Sequence, residues 1–322
     1  MNGRRMTPWL VWLLPGVALG LWACGLGGGS WHWPDWQDPM VHGLRVPRVL
    51  TALLVGAALA ASGAALQGLF RNPLADPGLI GTASGAALGV ILLLFCGGVG
   101  GLSVPLAAFA GGLAVTQLIV LLNGLVRGGE TGLLLIGLVV GACCAALTSL
   151  LLFLSDDLTL RGAMAWLAGN LGEAGFASLG SAGFIILLGL ALLLAVGRQL
   201  DALLLGEESA QALGIDVTRT RLLTTLGAAL AVGAAVSLSG VIGFIGMMVP
   251  NALSLLLGGT RRQLIVRSAW VGGLFLLLID SAARSVVYPV DLPAGLLAAF
   301  TGPPFFIWLL WQRHRREAHG QA

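Results

Sequence analysis

The chain has 322 residues, 57% of them hydrophobic and 10% charged, with a net charge of +3 at pH 7 and a mean hydropathy of +0.94. A soluble domain carries about 25% charged residues, so this composition excludes an ordinary water-soluble globule, and the small net charge argues against a nucleic-acid partner. All 17 basic residues are Arg; with no Lys, a Walker A phosphate loop is excluded from this chain.

Apolar runs fall at about residues 8–28, 49–70, 78–96, 102–123, 132–154, 180–197, 222–242, 244–257, 264–287 and 294–312. A helix needs roughly 20 apolar residues to cross about 30 Å of hydrocarbon, and most runs approach that length. The run at 244–257 is shorter and holds Pro250. The alternation of a membrane β-barrel is missing. The expected fold is an all-α polytopic membrane protein of about ten transmembrane helices. No linker or composition shift divides it, so residues 1–322 read as one domain. Residues 1–29 read as a first span with Arg4 and Arg5 held inside, not as a cleavable signal.

With both termini in the cytoplasm and ten spans, thirteen of the 17 arginines fall inside, as the positive-inside rule requires. The exceptions are Arg45, Arg48, Arg161 and Arg284. Arg161 follows Asp157 by four residues, a spacing that favours a local pair on a short helix. The loop "SWHWPDW" (30–36) places three Trp where indoles prefer to sit, at the membrane interface. The second run ends in "RNPLADPGLIG" (71–81), where Pro73 and Pro77 cannot continue a helix and Asp76 signals a turn.

No Asp or Glu sits at the centre of a run; Asp280, toward the outer half of the ninth, is nearest. Proton- and sodium-coupled carriers depend on intramembrane ionisable groups, so energy is expected from elsewhere. The four Cys and four His show neither a Cys-x-x-Cys nor a metal-site spacing. "LLLGEESAQALGID" (203–216) is the polar exception in mid-chain. Gly206 breaks the preceding run, Glu207 and Glu208 occupy a first turn where carboxylates suit the helix dipole, and Ala210, Leu213 and a Gly214 stop complete about two turns. So short a helix, placed after the exit marked by Arg198, belongs on the cytoplasmic side.

Five ordered blocks carry a resemblance: "RVPRVLTALLVGAALAASGAALQGLFRNPLADPGLIGTASGAALG" (45–89), "DDLTLRGAMAWLAGNLG" (156–172), "LGEESAQALGID" (205–216), "GVIGFIGMMVP" (240–250) and "DLPAGLLAAFTGPPFFIWLL" (291–310). Together they resemble the FecCD permease subunits of type II ABC importers, which carry iron–siderophores, haem and cobalamin across the bacterial inner membrane. The resemblance covers nearly the whole chain. It implies that Gly206, Glu207, Glu208, Ala210, Leu213 and Gly214 form the segment that docks in a cytoplasmic ATPase. It implies that Arg45, Arg48 and Arg284 receive acidic residues of a periplasmic binding protein. Asn72, Pro73, Leu74, Ala75, Asp76, Pro77 and Gly78 match the family's turn motif. Where many members read V-P-H-x-x-R, this chain has Pro250, Asn251 and Ser254.

The implied protein is a homodimeric permease, not itself an enzyme and without a cofactor of its own, since ATP and Mg would be bound by the partner ATPase. An iron chelate, siderophore or haem, ranks first as cargo, cobalamin second and a small oxyanion such as molybdate a remote third. A stand-alone secondary transporter is the rival of a different class; it requires an ionisable group in mid-span. An intramembrane enzyme requires a catalytic pair there.

Overall fold

The computed structural model describes residues 9–27, 30–98, 103–126, 128–172 and 175–320. Among these the helices are α1 (Trp9–Gly25), α2 (Val46–Leu69), α3 (Thr82–Phe95), α4 (Ser103–Val126), α5 (Gly129–Phe153), α6 (Asp157–Leu167) and α7 (Phe176–Ala195), then α8 (Gly197–Leu203), α9 (Glu207–Ala212), α10 (Val217–Ser239), α11 (Ile245–Leu257), α12 (Arg261–Val286) and α13 (Ala294–Gly320). Six of them, α2, α4, α5, α7, α10 and α12, are long and apolar enough to cross a membrane, and α1, α3, α11 and α13 carry shorter apolar stretches. These ten coincide with the ten apolar runs of the sequence. The remaining helices, α6, α8 and α9, are connectors.

The centre of the bundle is α2. Its apolar window is 78% buried, against 22% in α4 and in α5, which therefore turn most of their surface outward. Lipid provides no hydrophobic drive between helices, so close approach must come from small residues. A Cβ at Gly56 would strike the Gly272 carbonyl of α12, and one at Gly63 would strike the Gly246 carbonyl of α11. Helix α2 thus touches both neighbours backbone to backbone. The same device joins α3 to α4, where Gly85 and Gly89 face Gly111 and Ala107, and α7 to α10, where Gly189 faces Gly227 and Ala231.

The stretch after α2 is more than a turn at the membrane surface. Gly246 is flanked both by the Pro77 ring and by the Leu59 carbonyl. Leu59 lies ten residues before the end of α2, so the chain climbs back about 15 Å along that helix before α3 begins. Irregular backbone at such depth survives only if protein groups satisfy it. Here Gln67 Nε2 donates to the Ala75 carbonyl at 3.4 Å and the Met247 carbonyl at 3.3 Å, and Asn251 Nδ2 donates to the Pro73 carbonyl at 2.5 Å. The Asn72 and Asp76 side chains accept from the Leu74 and Gly78 N–H groups at 2.9 and 2.8 Å. Farther along, the Thr116 hydroxyl reaches the Ile80 carbonyl at 3.3 Å and the Thr82 hydroxyl at 2.8 Å.

A second half-depth helix starts beside the first. Helix α10 stops at Gly240, four residues run without helix, and Phe244 enters α11 at φ +67°. A side chain other than Gly is strained in that left-handed region. Its ring fills the space that a Cβ on Gly302 of α13 would take.

Candidate functional site

Two polar clusters stand at opposite ends of α2 and α12. At one end, Asp280 of α12 is fully buried and binds two guanidiniums. Arg48 at the start of α2 approaches it with Nε at 3.0 Å and Nη2 at 2.9 Å. Arg284, one helical turn beyond Asp280, places Nε 3.2 Å from the other carboxylate oxygen. Arg48 reaches further, with Nη1 2.9 Å from Asp291 in the link to α13. That same guanidinium fills the space beside Gly172, after α6. Arg284 also donates to the Ala23 and Leu26 carbonyls at 3.4 and 3.5 Å, and Arg45 donates to the Cys24 carbonyl at 3.1 Å. The cluster therefore ties α1, α2, α12 and two links together.

Arg48 and Arg284 already face a carboxylate within the chain, and each side chain is only 11% exposed. Arg45 is half-buried. A signal for Asp280 existed, since it stands four residues before Arg284 on one helix face. Its partnership with Arg48, 232 residues away, left no local trace. Within the apolar stretches of these ten helices, Asp280 is the only carboxylate among the described residues, and it is fully paired.

At the other end lies α9. From Asp280 to Arg261, where α12 begins, the helix axis spans about 29 Å. Helix α8 is anchored here: Gly197 abuts Arg262, and the Asp201 carboxylate accepts from the Arg261 backbone N–H at 2.7 Å. The chain then turns through Gly206, at φ +104° and ψ 156°, a conformation open essentially only to Gly. Glu207 and Glu208 occupy the first turn of α9, as expected. Glu207 pairs with Arg221 of α10 at 2.9 Å, while Glu208 is exposed. The stop is a Schellman motif: Gly214 adopts φ +80° and donates to the Gln211 carbonyl at 2.9 Å, and Ile215 donates to the Ala210 carbonyl at 3.0 Å. Ala210 is buried beneath the helix, whereas Leu213 is 64% exposed and Leu205 68%. The product is a small rigid knob with an apolar tip, held by one ion pair and one buried Ala.

The other sequence candidates divide between these ends. Residues 72–78 form the satisfied loop that folds back along α2, with Ala75 and Pro77 buried and Leu74 and Gly78 exposed. Helix α6 is capped by Asp156, which accepts from the Leu158 and Thr159 N–H groups. Those hydrogen bonds, from Thr159 first, hold the Asp156 carboxyl below the usual range. The expected Arg161–Asp157 pair does not form. The aromatic loop folds back on the end of α1, with Trp31 Nε1 donating to the Trp22 carbonyl at 3.1 Å and Trp33 left 79% exposed. Arg4 and Arg5 lie outside the described residues.

A bundle of ten apolar helices, half-depth at two places, with a charge-neutralised cluster at one end and a stiff exposed knob at the other, defines a membrane transport subunit. Residues 17–312 match the model of the FecCD transport family. The chain belongs to that family. It is 40% identical to the hemin transport system permease protein of Yersinia pestis, over 98% of this chain and all of the relative. It is likewise 40% identical to the vitamin B12 import system permease protein of Vibrio cholerae, over 88% of this chain and 86% of the relative. Among solved structures, an inward-facing conformation of a metal-chelate type ABC transporter matches with a TM-score of 0.86 and 32% identity, over 94% of this chain and 98% of that one.

Proposed function

We propose that this chain is the transmembrane permease subunit of an ATP-driven importer for an iron chelate, with haem placed first. The observation that carries the reading is the end-to-end likeness to a hemin permease. Cobalamin is the second reading, supported by equal identity to a vitamin B12 permease over a somewhat smaller share of the chain. The α9 end faces the cytoplasm. Seven arginines of the described chain gather there: Arg71, Arg198, Arg219, Arg221, Arg261, Arg262 and Arg267. That is the asymmetry by which helical membrane proteins orient. In this orientation both termini are cytoplasmic and the membrane is the bacterial inner one.

The two clusters then have separate tasks. A separate ATPase chain, carrying its own ATP and Mg, grips α9 through Leu205, Leu213 and the surface around Glu208. Because Gly206 and Gly214 bracket a short stiff helix, displacement of the knob passes through the Glu207–Arg221 pair and Ala210 into α10. At the outer end an acidic periplasmic binding protein docks over Arg45, Arg48 and Arg284. Asp280 holds the last two in fixed orientation, so docking selects register and encounter rate more than it adds affinity. Two copies of the chain would pair through outward apolar helices and enclose the path between them. Neither ATP nor a free intramembrane carboxylate is needed within the chain, since bias comes from the different affinities of the partners for its two states.

The test is uptake into vesicles holding the permease alone, or the permease with its ATPase, binding protein and ATP. Haem accumulation is expected only in the complete system. Accumulation by the permease alone, driven by a proton or sodium gradient, would overturn the reading in favour of a secondary transporter.

A further inference from the structure

The break between α10 and α11 is gripped from two sides. A Cβ on Gly240 would strike the Trp166 carbonyl in the last turn of α6, one on Gly169 the Val241 carbonyl, and one on Gly295 the carbonyls of Ala168 and Val241. The Gly295 N–H donates to the Gly169 carbonyl at 3.0 Å. The end of α6, the break and the start of α13 thus meet backbone on backbone. Two turns along α13, Gly302 receives the Phe244 ring. Residues 295 and 302 share one helix face, and Ala298 between them is buried. The break therefore lies along α13 and is pinned at both of its ends.

The pin at Phe244 is the costly one, because φ +67° strains any residue that carries a side chain. A Gly, which the chain uses at 240 and 243, would take this backbone freely. Strain of this kind persists only where the surroundings impose it, and it gathers at switch regions. The joint also reaches both polar ends. Arg48 touches it twice: Nη1 pairs at 2.9 Å with Asp291, three residues before α13, and lies 3.2 Å from where a Cβ on Gly172 would stand, three residues after Gly169. From the other end, α10 carries Arg221, the partner of Glu207, and runs about 33 Å to the break. Backbone contacts have no rotamers to absorb a displacement, and close-packed interiors transmit strain.

We propose that Phe244 is a positioning residue for coupling: seated against Gly302, it keeps the 240–244 break stiff, so that docking at Arg48 and movement of α9 act on each other through α10. The proposal rests on the importer reading above. With the ring gone, the break becomes a hinge, and α10 shifts while α6 and α13 stay in place. Pro303 and Pro304 each remove a ladder hydrogen bond just beyond Gly302. They set the first turns of α13 off from the rest of that helix, which lets those turns follow the break.

The experiment uses the full complex of permease, ATPase and binding protein in vesicles, with hemin as the probe cargo. ATP hydrolysis is measured with and without the binding protein for the wild type, Phe244→Gly, Gly302→Ala and the double variant. Phe244→Gly relieves a strained backbone and needs no new space, so its basal hydrolysis and thermal unfolding should stay near wild-type values. Its stimulation by the binding protein should fall about threefold or more, the scale of effect for a residue on a coupling route. Gly302→Ala, which expels the ring, should reproduce the loss; the double variant should lose no more than either single one, because both remove the same contact. If Gly302→Ala fails to accumulate, Phe244→Gly carries the test alone. Unchanged stimulation in Phe244→Gly overturns the inference. So do additive losses, and so does an equal fall in basal and stimulated hydrolysis, which marks a merely structural defect. A wild-type complex that neither takes up hemin nor responds to the binding protein refutes the importer reading and the inference with it; a coupled wild type with indifferent variants refutes the inference alone.

Discussion

The Asp280 carboxylate offers the sharpest perturbation. Asp280→Asn keeps the shape and removes the charge, leaving Arg48 and Arg284 facing each other, each side chain only 11% exposed. At an effective dielectric of about 20 and a separation of about 4 Å, each guanidinium gains roughly 4 kcal/mol from the carboxylate. Desolvation of three charges offsets much of this in the native protein, so the pair adds little net stability. Removing one partner is different, because the desolvation cost stays while the attraction goes, and such changes cost about 3–5 kcal/mol. Arg48 keeps Asp291 at 2.9 Å, whereas Arg284 keeps only backbone carbonyls. Adding Arg284→Gln to Asp280→Asn should therefore restore part of the loss. Asp291→Asn, at a site 59% exposed, should cost no more than about 1 kcal/mol. The assay is reversible denaturant unfolding in detergent micelles. If Asp280→Asn costs under about 1 kcal/mol, or no more than Asp291→Asn, the keystone role of this carboxylate is refuted.

Gly63→Ala sets a Cβ against the Gly246 carbonyl and should cost about 1–3 kcal/mol or prevent accumulation, while Gly180→Ala, with open space around it, should gain about 0.5–1 kcal/mol; the same unfolding assay reads both. Glu207→Gln removes a partly exposed pair and should cost at most about 1 kcal/mol, yet lower ATP-driven uptake in reconstituted vesicles. Gly206→Ala should lower uptake further, because φ +104° is closed to Ala; unchanged uptake in both variants would separate α9 from force transmission. Asp156→Ala should fray α6 and Asp156→Asn should preserve it, as seen in amide exchange over residues 157–167. Since the Asp156 carboxyl is held low, its contribution is complete above about pH 4, the ordinary carboxylate range, and fades as pH falls through the depressed value. Asp156→Asn should abolish that acid dependence.

The ten apolar helices were legible because each needs its own apolar run, and a run is a local property. The α9 knob was legible for the same reason: Gly206, two acids and Gly214 lie within nine residues. The depth of residues 72–81 was not, because two prolines announce only that a helix ends. Where the chain goes next depends on the donors of Gln67 and Asn251, the latter 178 residues away. Arg48 and Arg284 were visible as exceptions to an orientation rule, but that rule speaks of location and not of partners. The Asp157–Arg161 spacing shows the opposite failure: a favourable interval on an exposed helix is worth a few tenths of a kcal/mol, too little to hold two solvated side chains together.

The bare backbone contacts of α2 carry a lesson about tolerance to change. With carbonyls of α11 and α12 pressed on Gly63 and Gly56, the helix has no room at these two positions for even a methyl group. A saturation scan of the chain should show positions 56 and 63 accepting Gly alone, while half-exposed positions of the same helix such as Leu50 accept other apolar side chains. Helices α4 and α5, which turn most of their surface outward, should accept a far wider set of hydrocarbon side chains.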